Sequence, residues 1–175
     1  MGINDSEFAN ASQTSNETVA GKAMPPVTIV VPAYNLQDYL DDCVRSIQAQ
    51  SYSGDKVILI LDDGSTDGTR SVALSLRISD ARITVCSQSN RGRAETRDRL
   101  IRMAETPIVA WIDADDIASP DWLQSQGECL LENPNVAAVG GQGYARTAGG
   151  VAIGPICHPL THEEIERRHL EGHAN

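Results

Sequence analysis

Three aspartates follow one short apolar segment, at a spacing that could allow them to bind a cation. Asp113, Asp115 and Asp116 come directly after the apolar run at residues 108–112. A run of this length and character predicts a buried strand. Because ionised carboxylates are costly to bury without a counter-charge, we expect the strand to end at an open site. Two interpretations stay open from these residues alone: a divalent cation that bridges the carboxylates to a phosphate, or a polar turn before a helix.

Two other predicted strands also end in polar segments. The apolar runs at residues 27–31 and 57–61 predict these strands. The polar segments that follow them are Pro32-Ala33-Tyr34-Asn35 and Asp62-Asp63-Gly64-Ser65. In open α/β sheets, ligands bind beyond the carboxyl ends of the strands. The sequence therefore predicts a cleft at one sheet edge, to which all three polar segments contribute.

Helical patterns alternate with these strands and position the polar segments. Apolar residues recur at helical spacing over residues 36–47, 72–76 and 93–105, and a short strand is predicted at 83–85. A fourth helix is expected to start with Ser119 as its N-cap and to end near Glu132, before a strand at 136–139. Alternation of this kind predicts an α/β fold with a mostly parallel sheet flanked by helices.

The C-terminal region is less regular. The glycine-rich segment at residues 140–154 is compatible with a hairpin or a loop. Thr161 and Glu164 have the spacing of a capping box, which predicts a last short helix closed by Gly172. Residues 1–26 are polar and are expected to form a disordered leader, with one domain over residues 27–175.

The composition excludes several classes of protein. The 175 residues carry a formal net charge of −10, with a pI of about 4.7, which disfavours a nucleic-acid-binding surface. The four cysteines form no zinc-binding pair and are expected to be scattered, mostly buried thiols. No apolar run is long enough to span a membrane, and the N-terminus lacks the pattern of a signal peptide. We therefore expect a cytoplasmic protein, and peripheral attachment to the inner membrane face stays open.

Four segments, taken in order, resemble the family 2 glycosyltransferases of the GT-A fold. The segments are VTIVVPAYN at 27–35, LDDGSTDGT at 61–69, NRGRAETR at 90–97 and WIDADD at 111–116. The resemblance covers residues 27–132 and, more loosely, the rest of the chain. It implies a Rossmann-like, nucleotide-sugar-binding fold. It also implies transfer of a sugar from a nucleoside diphosphate, with uridine as the expected base, to an acceptor hydroxyl with inversion.

The resemblance also assigns roles to individual residues. The residues expected to bind the nucleotide are Pro32, Ala33, Tyr34, Asp63, Asn90, Arg97 and Asp113. Asp63 would accept the imide hydrogen of uracil, and Asp62 would cap its own turn. Asp113 and Asp115 match the DxD motif, in which Asp115, with Asp113, would hold Mn²⁺ or Mg²⁺ on the diphosphate. Arg97 would neutralise a phosphate or the pocket acids, and a simple surface salt bridge is the alternative. The family commonly has Asn after this arginine, where this chain has Asp98.

The catalytic base is not identified by the sequence. The family places it downstream of the DxD motif, often in a Glu-Asp pair, and no such pair occurs here. The late acids are Glu128, Glu132, Glu163, Glu164, Glu166 and Glu171. Two hypotheses follow: a glycosyltransferase, or an incomplete nucleotide-sugar-binding module whose acceptor half is truncated at the C-terminus. The sugar and the acceptor, which is a carbohydrate or a lipid-linked molecule, are left open.

Overall fold

A four-stranded parallel sheet forms the centre of the protein. The computed structural model describes residues 23–147 and 149–170. The strands are β1 (Val27–Ala33), β2 (Lys56–Asp62), β3 (Ile83–Ser87) and β4 (Ile108–Trp111), in the spatial order β3-β2-β1-β4. The predicted parallel α/β sheet is confirmed. Since β2 and β4 lie on opposite sides of β1, the direction of winding reverses between β1 and β4, which is where such sheets bind ligands.

Five helices and one hairpin complete the described structure. The helices are α1 (Leu40–Gln48), α2 (Thr69–Ser79), α3 (Arg93–Met103), α4 (Trp122–Glu132) and α5 (His162–Leu170). Strands β5 (Gly143–Arg146) and β6 (Ala152–Ile156) pair antiparallel, so the segment at 140–154 contains a hairpin. Within the described residues, no helix combines the length and the apolar character that crossing a membrane requires.

The centre of the sheet is buried on both faces. Alternate side chains of β1 point in opposite directions: Ile29 and Val31 pack against helices α1 and α2, whereas Val30 packs against Leu100 of α3. Residues Ile29, Val30, Val31 and Leu100 are all fully buried. Burial on both faces explains why these strands are continuous apolar runs without a polar alternation.

Two features differ from the sequence-based prediction. The strand expected at residues 136–139 is absent from the described structure, and Val136 is 42% exposed. Helix α4 begins at Trp122, so Ser119 is not its N-cap. The carbonyl oxygens of Ser119 and Pro120 accept hydrogen bonds from Gln50 Nε2 (2.6 Å) and Ser51 N (2.9 Å). These bonds to the end of α1 hold Ser119 and Pro120 in a turn before the helix.

Both ends of the chain partly meet expectation. Residues 1–22 of the predicted leader lie outside the described residues, but Met24 is buried in the core and Pro25 accepts a hydrogen bond from Tyr52. The ordered domain therefore begins earlier than residue 27. At the other end, Thr161 Oγ1 accepts from Glu164 N (3.3 Å), as the predicted capping box requires. Gly172, expected to close this helix, lies outside the described residues.

The cysteines are less buried than predicted. Cys43 is buried, Cys86 and Cys129 are partly buried, and Cys157 is exposed. All four thiols are free.

Candidate functional site

A cavity of about 260 Å³ opens at the carboxyl ends of β1, β2 and β4, beside α3. Six of the predicted nucleotide-binding residues line it, together with the predicted metal ligand. These residues are Pro32, Ala33, Tyr34, Asp63, Arg97, Asp113 and Asp115. The remaining lining residues are Leu36, Arg93, Thr96 and Ala114. The fold thus brings three distant sequence segments to the cleft that the strand ends predicted.

Hydrogen bonds between two loops position the β1 side of the cavity. Asn35 adopts a left-handed conformation (φ 53°), and its Oδ1 accepts from Thr66 N at 2.8 Å. The next backbone amide, Leu36 N, donates to Thr69 Oγ1 at 2.7 Å. An Asn tolerates this backbone conformation better than most residues. The loop after β1 is therefore fixed to the loop after β2, and this holds Tyr34 at the cavity with 46% of its surface exposed.

Asp63 is a buried carboxylate that organises the loop before α3. Its Oδ1 accepts from Gln88 Nε2 (2.7 Å) and Arg91 N (2.9 Å), and its Oδ2 accepts from Gly92 N (2.9 Å). Burial alone would raise the pKa of Asp63, but these hydrogen bonds and one from Thr96 together lower it below its ordinary value. Asp63 therefore stays ionised at neutral pH and can only accept hydrogen bonds.

Asp62, the preceding acid, has a different role. It is 2% exposed, and its Oδ1 accepts from Ser65 N at 3.1 Å. This bond closes the turn after β2, as the sequence predicted for Asp62.

Asp113 is held by two donors from the α3 side. Arg97 Nη2 lies 3.2 Å from Oδ1 and 3.3 Å from Oδ2 of Asp113, and Trp111 Nε1 donates to Oδ1 at 3.1 Å. The guanidinium carbon of Arg97 lies 4.7 Å from the centre of the Trp111 ring, within the range of a cation–π interaction. Arg97 thus pairs with Asp113, and both side chains line the cavity.

The acids after β4 remain partly uncompensated. Two effects raise the pKa of Asp116: the loss of surrounding water, which is the largest single cause, and the negative charges of Asp115 and Asp113. The thiol of Cys43 lies below them, with its Sγ 3.5 Å from the backbone oxygen of Asp113. Burial, with the charges of the same acids, raises the pKa of Cys43 to about 12. This end of the cavity therefore favours the arrival of positive charge.

The donor atoms fit a divalent cation that is shared with a phosphate ligand. In the described part of the chain, no group of three or more His, Cys, Asp or Glu side chains is arranged to hold a metal ion. Asp115 and Asp113 nevertheless supply hard carboxylate oxygens at the cavity. Mg²⁺ is commonly bound by one or two carboxylates, with phosphate oxygens and water completing its shell. Two carboxylates therefore suffice only if the ligand contributes the remaining oxygens.

Asn90 is the one predicted nucleotide-binding residue outside the cavity lining. Its backbone nitrogen packs against Gly64, where an added Cβ would approach it to 2.6 Å. The sequence placed Arg93 at the start of the predicted helix over residues 93–105 without a role in the site, and it did not reveal the contacts of Gln88 and Trp111 with the acids. The position of Arg93 directly after the Asn90-Arg91-Gly92 turn was the available signal, since this turn precedes a helix at the predicted sheet edge.

Comparison with known proteins agrees with this geometry. The family model described as Glycosyl transferase family 2 matches residues 28–170. The chain is 37% identical over 109 residues to the putative teichuronic acid biosynthesis glycosyltransferase TuaG of Bacillus subtilis (strain 168), covering 62% of this chain and 43% of TuaG. The chain therefore spans less than half the length of this relative.

Two solved structures share the fold. S. aureus TarS 1-349 in complex with UDP superposes with a TM-score of 0.57 at 22% identity, covering 62% of this chain and 33% of that one. The mannosyltransferase PcManGT from Pyrobaculum calidifontis, in complex with GDP-Man and Mn²⁺, gives a TM-score of 0.54 at 28% identity and covers 58% and 33%. The predicted GT-A-like fold is confirmed. With the family match extending over nearly all of the described sheet and cavity, the chain belongs to glycosyl transferase family 2.

Proposed function

We propose that the cavity binds a nucleoside-diphosphate sugar, with uracil as its base, together with Mn²⁺ or Mg²⁺. The whole protein would then transfer the sugar to an acceptor hydroxyl with inversion. The observation that carries this proposal is that Asp63, Arg97 and Asp115 line one cavity at the reversal point of a parallel sheet. A single ligand can therefore meet a carboxylate for its nucleobase, a guanidinium group for its phosphate and a second carboxylate for its metal ion.

Asp63 suits recognition of an imide base. Its Oδ2 accepts a hydrogen bond from Gly92, and an ionised carboxylate oxygen has more than one acceptor site. An ionised carboxylate accepts from the N3–H of uracil, whereas N3 of cytosine is itself an acceptor. The half-exposed ring of Tyr34, on the neighbouring loop, offers a flat surface to the base. The cavity is therefore expected to prefer UDP over CDP.

The opposite side of the cavity suits a diphosphate. Arg97 and Arg93 present positive charge there, and Asp115 with Asp113 would hold the metal. When bound, the metal supplies electrostatic stabilisation of the charge that develops on the leaving diphosphate. Arg97 would bind and orient the phosphates from the α3 side, since guanidinium groups match phosphate oxygens.

Binding without transfer is the second candidate function of these 175 residues. Across the described residues, the acids that line the cavity are Asp63, Asp113 and Asp115, and no glutamate lines it. Each of the three already has a proposed role in binding the donor. Inverting transfer needs a further base within reach of the acceptor hydroxyl. These residues alone are therefore expected to bind the donor while showing little turnover.

Calorimetric titration of the 175-residue chain with UDP and CDP, each with and without Mn²⁺, tests the binding proposal. We expect UDP to bind, to bind more tightly with Mn²⁺, and to bind more tightly than CDP. Asp115→Asn should abolish the gain that Mn²⁺ provides. Asp121→Asn is a matched control, because Asp121 is exposed, makes no side-chain capping bond to α4 and lies outside the cavity.

The outcomes are distinct. Absence of UDP binding under all conditions would refute the donor site. If the metal dependence of UDP binding is unaltered in Asp115→Asn, Asp115 is not the metal ligand, but the assignment of Asp63 to the nucleobase is unaffected. Assays of donor hydrolysis and of sugar transfer on the same preparation then separate the two candidate functions, because rapid turnover would show that a base is present.

A further inference from the structure

The aromatic residue at the end of β4 connects the hydrophobic core to the charged wall of the cavity. Trp111 packs against the core cluster of Val30, Leu59, Leu61 and Leu100 on the α3 face of the sheet. Trp111 and Asp113 are two residues apart at the end of a strand, where side chains of such spacing point to the same face. The indole is thus held by the core on one side and meets the carboxylate of Asp113 on the other.

The second charged group reaches the same indole from α3. Arg97 and Leu100 are three residues apart and share a helix face. Leu100 is fully buried in the cluster that Trp111 contacts, and Arg97 lies over the indole ring at 4.7 Å. Trp111 therefore touches both members of the Arg97–Asp113 ion pair: its N–H donates to Asp113, and its ring face contacts Arg97.

Resting on the proposed function, we propose that Trp111 is a positioning residue of the donor site, which orients Asp113 for the metal-bound diphosphate and Arg97 for its phosphates. An indole N–H only donates hydrogen bonds, so Trp111 cannot replace Asp113 as a ligand of the cation. A diphosphate can draw Arg97 away from Asp113. The hydrogen bond from Trp111 then remains, and it keeps the carboxylate in one orientation with and without the ligand.

Replacement of the indole by a phenyl ring separates these contributions. Trp111→Phe keeps an aromatic face for Arg97 and most of the apolar volume, but it removes the N–H donor. Loss of a group that orients a metal ligand typically weakens metal binding roughly 10- to 100-fold. We therefore expect Trp111→Phe to weaken UDP binding in Mn²⁺ by at least about tenfold, with a much smaller loss in metal-free UDP binding.

The ratio of the two UDP dissociation constants, without and with Mn²⁺, distinguishes positioning from a merely structural effect. A loss of folded protein weakens both titrations equally and leaves the ratio unchanged, whereas misorientation of Asp113 lowers the ratio. Trp122→Phe on α4 is the matched control, because Trp122 packs against the opposite core and lies outside the cavity lining. If Trp111 acts through Asp113, its substitution should have no further effect on the ratio in an Asp113→Asn background.

If the wild-type chain binds UDP in a metal-dependent way and Trp111→Phe leaves the ratio unchanged, the inference about Trp111 is overturned and the proposed function stands. Absence of UDP binding by the wild-type chain would instead refute the proposed function and the inference with it. If Trp111→Phe fails to fold, the Trp122→Phe protein provides a second measurement. The chain has two tryptophans, so the tryptophan fluorescence of Trp122→Phe comes from Trp111 alone. UDP with paramagnetic Mn²⁺ should quench this emission more than UDP with Mg²⁺, and equal emission would overturn the inference.

Discussion

Arg97 and Asp113 form an ion pair inside the cavity, with Nη2 of Arg97 lying 3.2 Å and 3.3 Å from the two carboxylate oxygens of Asp113. The side chains are 44% and 33% exposed, respectively. Ion pairs with this degree of solvent access contribute little to stability, typically about 0 to 1 kcal/mol. The pair therefore adds little to folding, and under the proposed function it would keep a cation beside the acids until a phosphate arrives.

Arg97→Ala should weaken UDP binding while leaving the fold nearly intact. Loss of one charged hydrogen-bonding group from a phosphate site is expected to raise the UDP dissociation constant roughly tenfold. The free energy of unfolding should fall by less than about 1 kcal/mol, since the ion pair is solvent-accessible. Calorimetric titration and urea denaturation measure the two effects separately.

Arg102→Ala is the control for Arg97→Ala. Arg102 is on the same helix and pairs with Asp98 at 2.8 Å, but it lies outside the cavity lining. Its substitution should leave UDP binding unchanged. Equal UDP affinity of Arg97→Ala and the wild-type chain would show that Arg97 does not bind the donor.

Gly64→Ala should be more destabilising than Gly150→Ala, although both glycines have positive φ values of 75° and 80°. A positive φ costs an alanine about 1 to 2 kcal/mol at either position. At Gly64 the added Cβ would also lie 2.6 Å from the backbone nitrogen of Asn90, whereas at Gly150 it meets nothing within 4 Å. The backbone near Asn90 must therefore move in Gly64→Ala alone.

Chemical denaturation of both variants isolates this clash, because their difference removes the shared conformational strain. We expect the free energy of unfolding of Gly64→Ala to be lower by at least about 1 kcal/mol than that of Gly150→Ala. Since Asp63 is held by the Arg91-Gly92 backbone next to Asn90, Gly64→Ala should also weaken UDP binding. Equal stabilities would mean that the loop accommodates the methyl group.

The strands and their common edge could be predicted because they depend on short, local patterns. The apolar runs at residues 27–31 and 57–61 correspond closely to β1 and β2. The acids that follow them reach one cavity because parallel strands share a carboxyl edge. The partners of those acids could not be predicted in the same way. The contact of Asp63 with Gln88 depends on the path of the loop between β3 and α3, and that of Arg97 with Trp111 depends on how α3 is rotated against the sheet.

The orientation of α3 shows why this rotation was not evident. The apolar residues of the helix predicted at 93–105 include Ala94 and Ile101, yet Ala94 is exposed and Ile101 is 55% exposed. The buried residues are Thr96 and Leu100, which lie on one helix face. The helix is strongly charged, with few apolar residues to define a face. The sheet beneath it, and not its own periodicity, therefore determines which side is buried.

Asp80→Asn should reduce stability more at neutral pH than in acid. The carboxylate accepts from Arg82 Nη2 at 2.7 Å and from Gln48 Nε2 at 2.8 Å, and its side chain is 10% exposed. The hydrogen bonds from Arg82, above all, hold the pKa of Asp80 well below its ordinary value. A lowered pKa in the folded state stabilises the protein above the unfolded pKa of about 4, and this contribution is lost as the pH falls below that value.

Urea denaturation of the wild-type and Asp80→Asn proteins from pH 7 to pH 3 tests this dependence. The difference in the free energy of unfolding should be about 1 to 2 kcal/mol and constant down to about pH 5, and it should shrink below about pH 4. Asp55→Asn provides the control, because Asp55 is exposed and its side chain makes no hydrogen bond within the described residues. A difference for Asp80→Asn that is independent of pH would contradict the proposed charge interaction.

Leu100→Ala and Ile101→Ala should differ sharply, although both shorten an aliphatic side chain of α3 at neighbouring positions. Leu100 is fully buried against Val30, Leu59 and Leu61, so its truncation leaves a cavity and should cost about 2 to 5 kcal/mol. Ile101 is 55% exposed, and its truncation should cost less than about 1 kcal/mol. Urea denaturation measures both values.

The same two variants also connect the core to the donor site. Leu100 packs in the cluster that holds Trp111, and Arg97 is one turn away on the same helix face. Leu100→Ala should therefore weaken Mn²⁺-dependent UDP binding under conditions in which the variant is still folded, whereas Ile101→Ala should bind UDP as the wild-type chain does. Full donor affinity in folded Leu100→Ala would show that the cavity wall at Asp113 does not depend on the packing of α3.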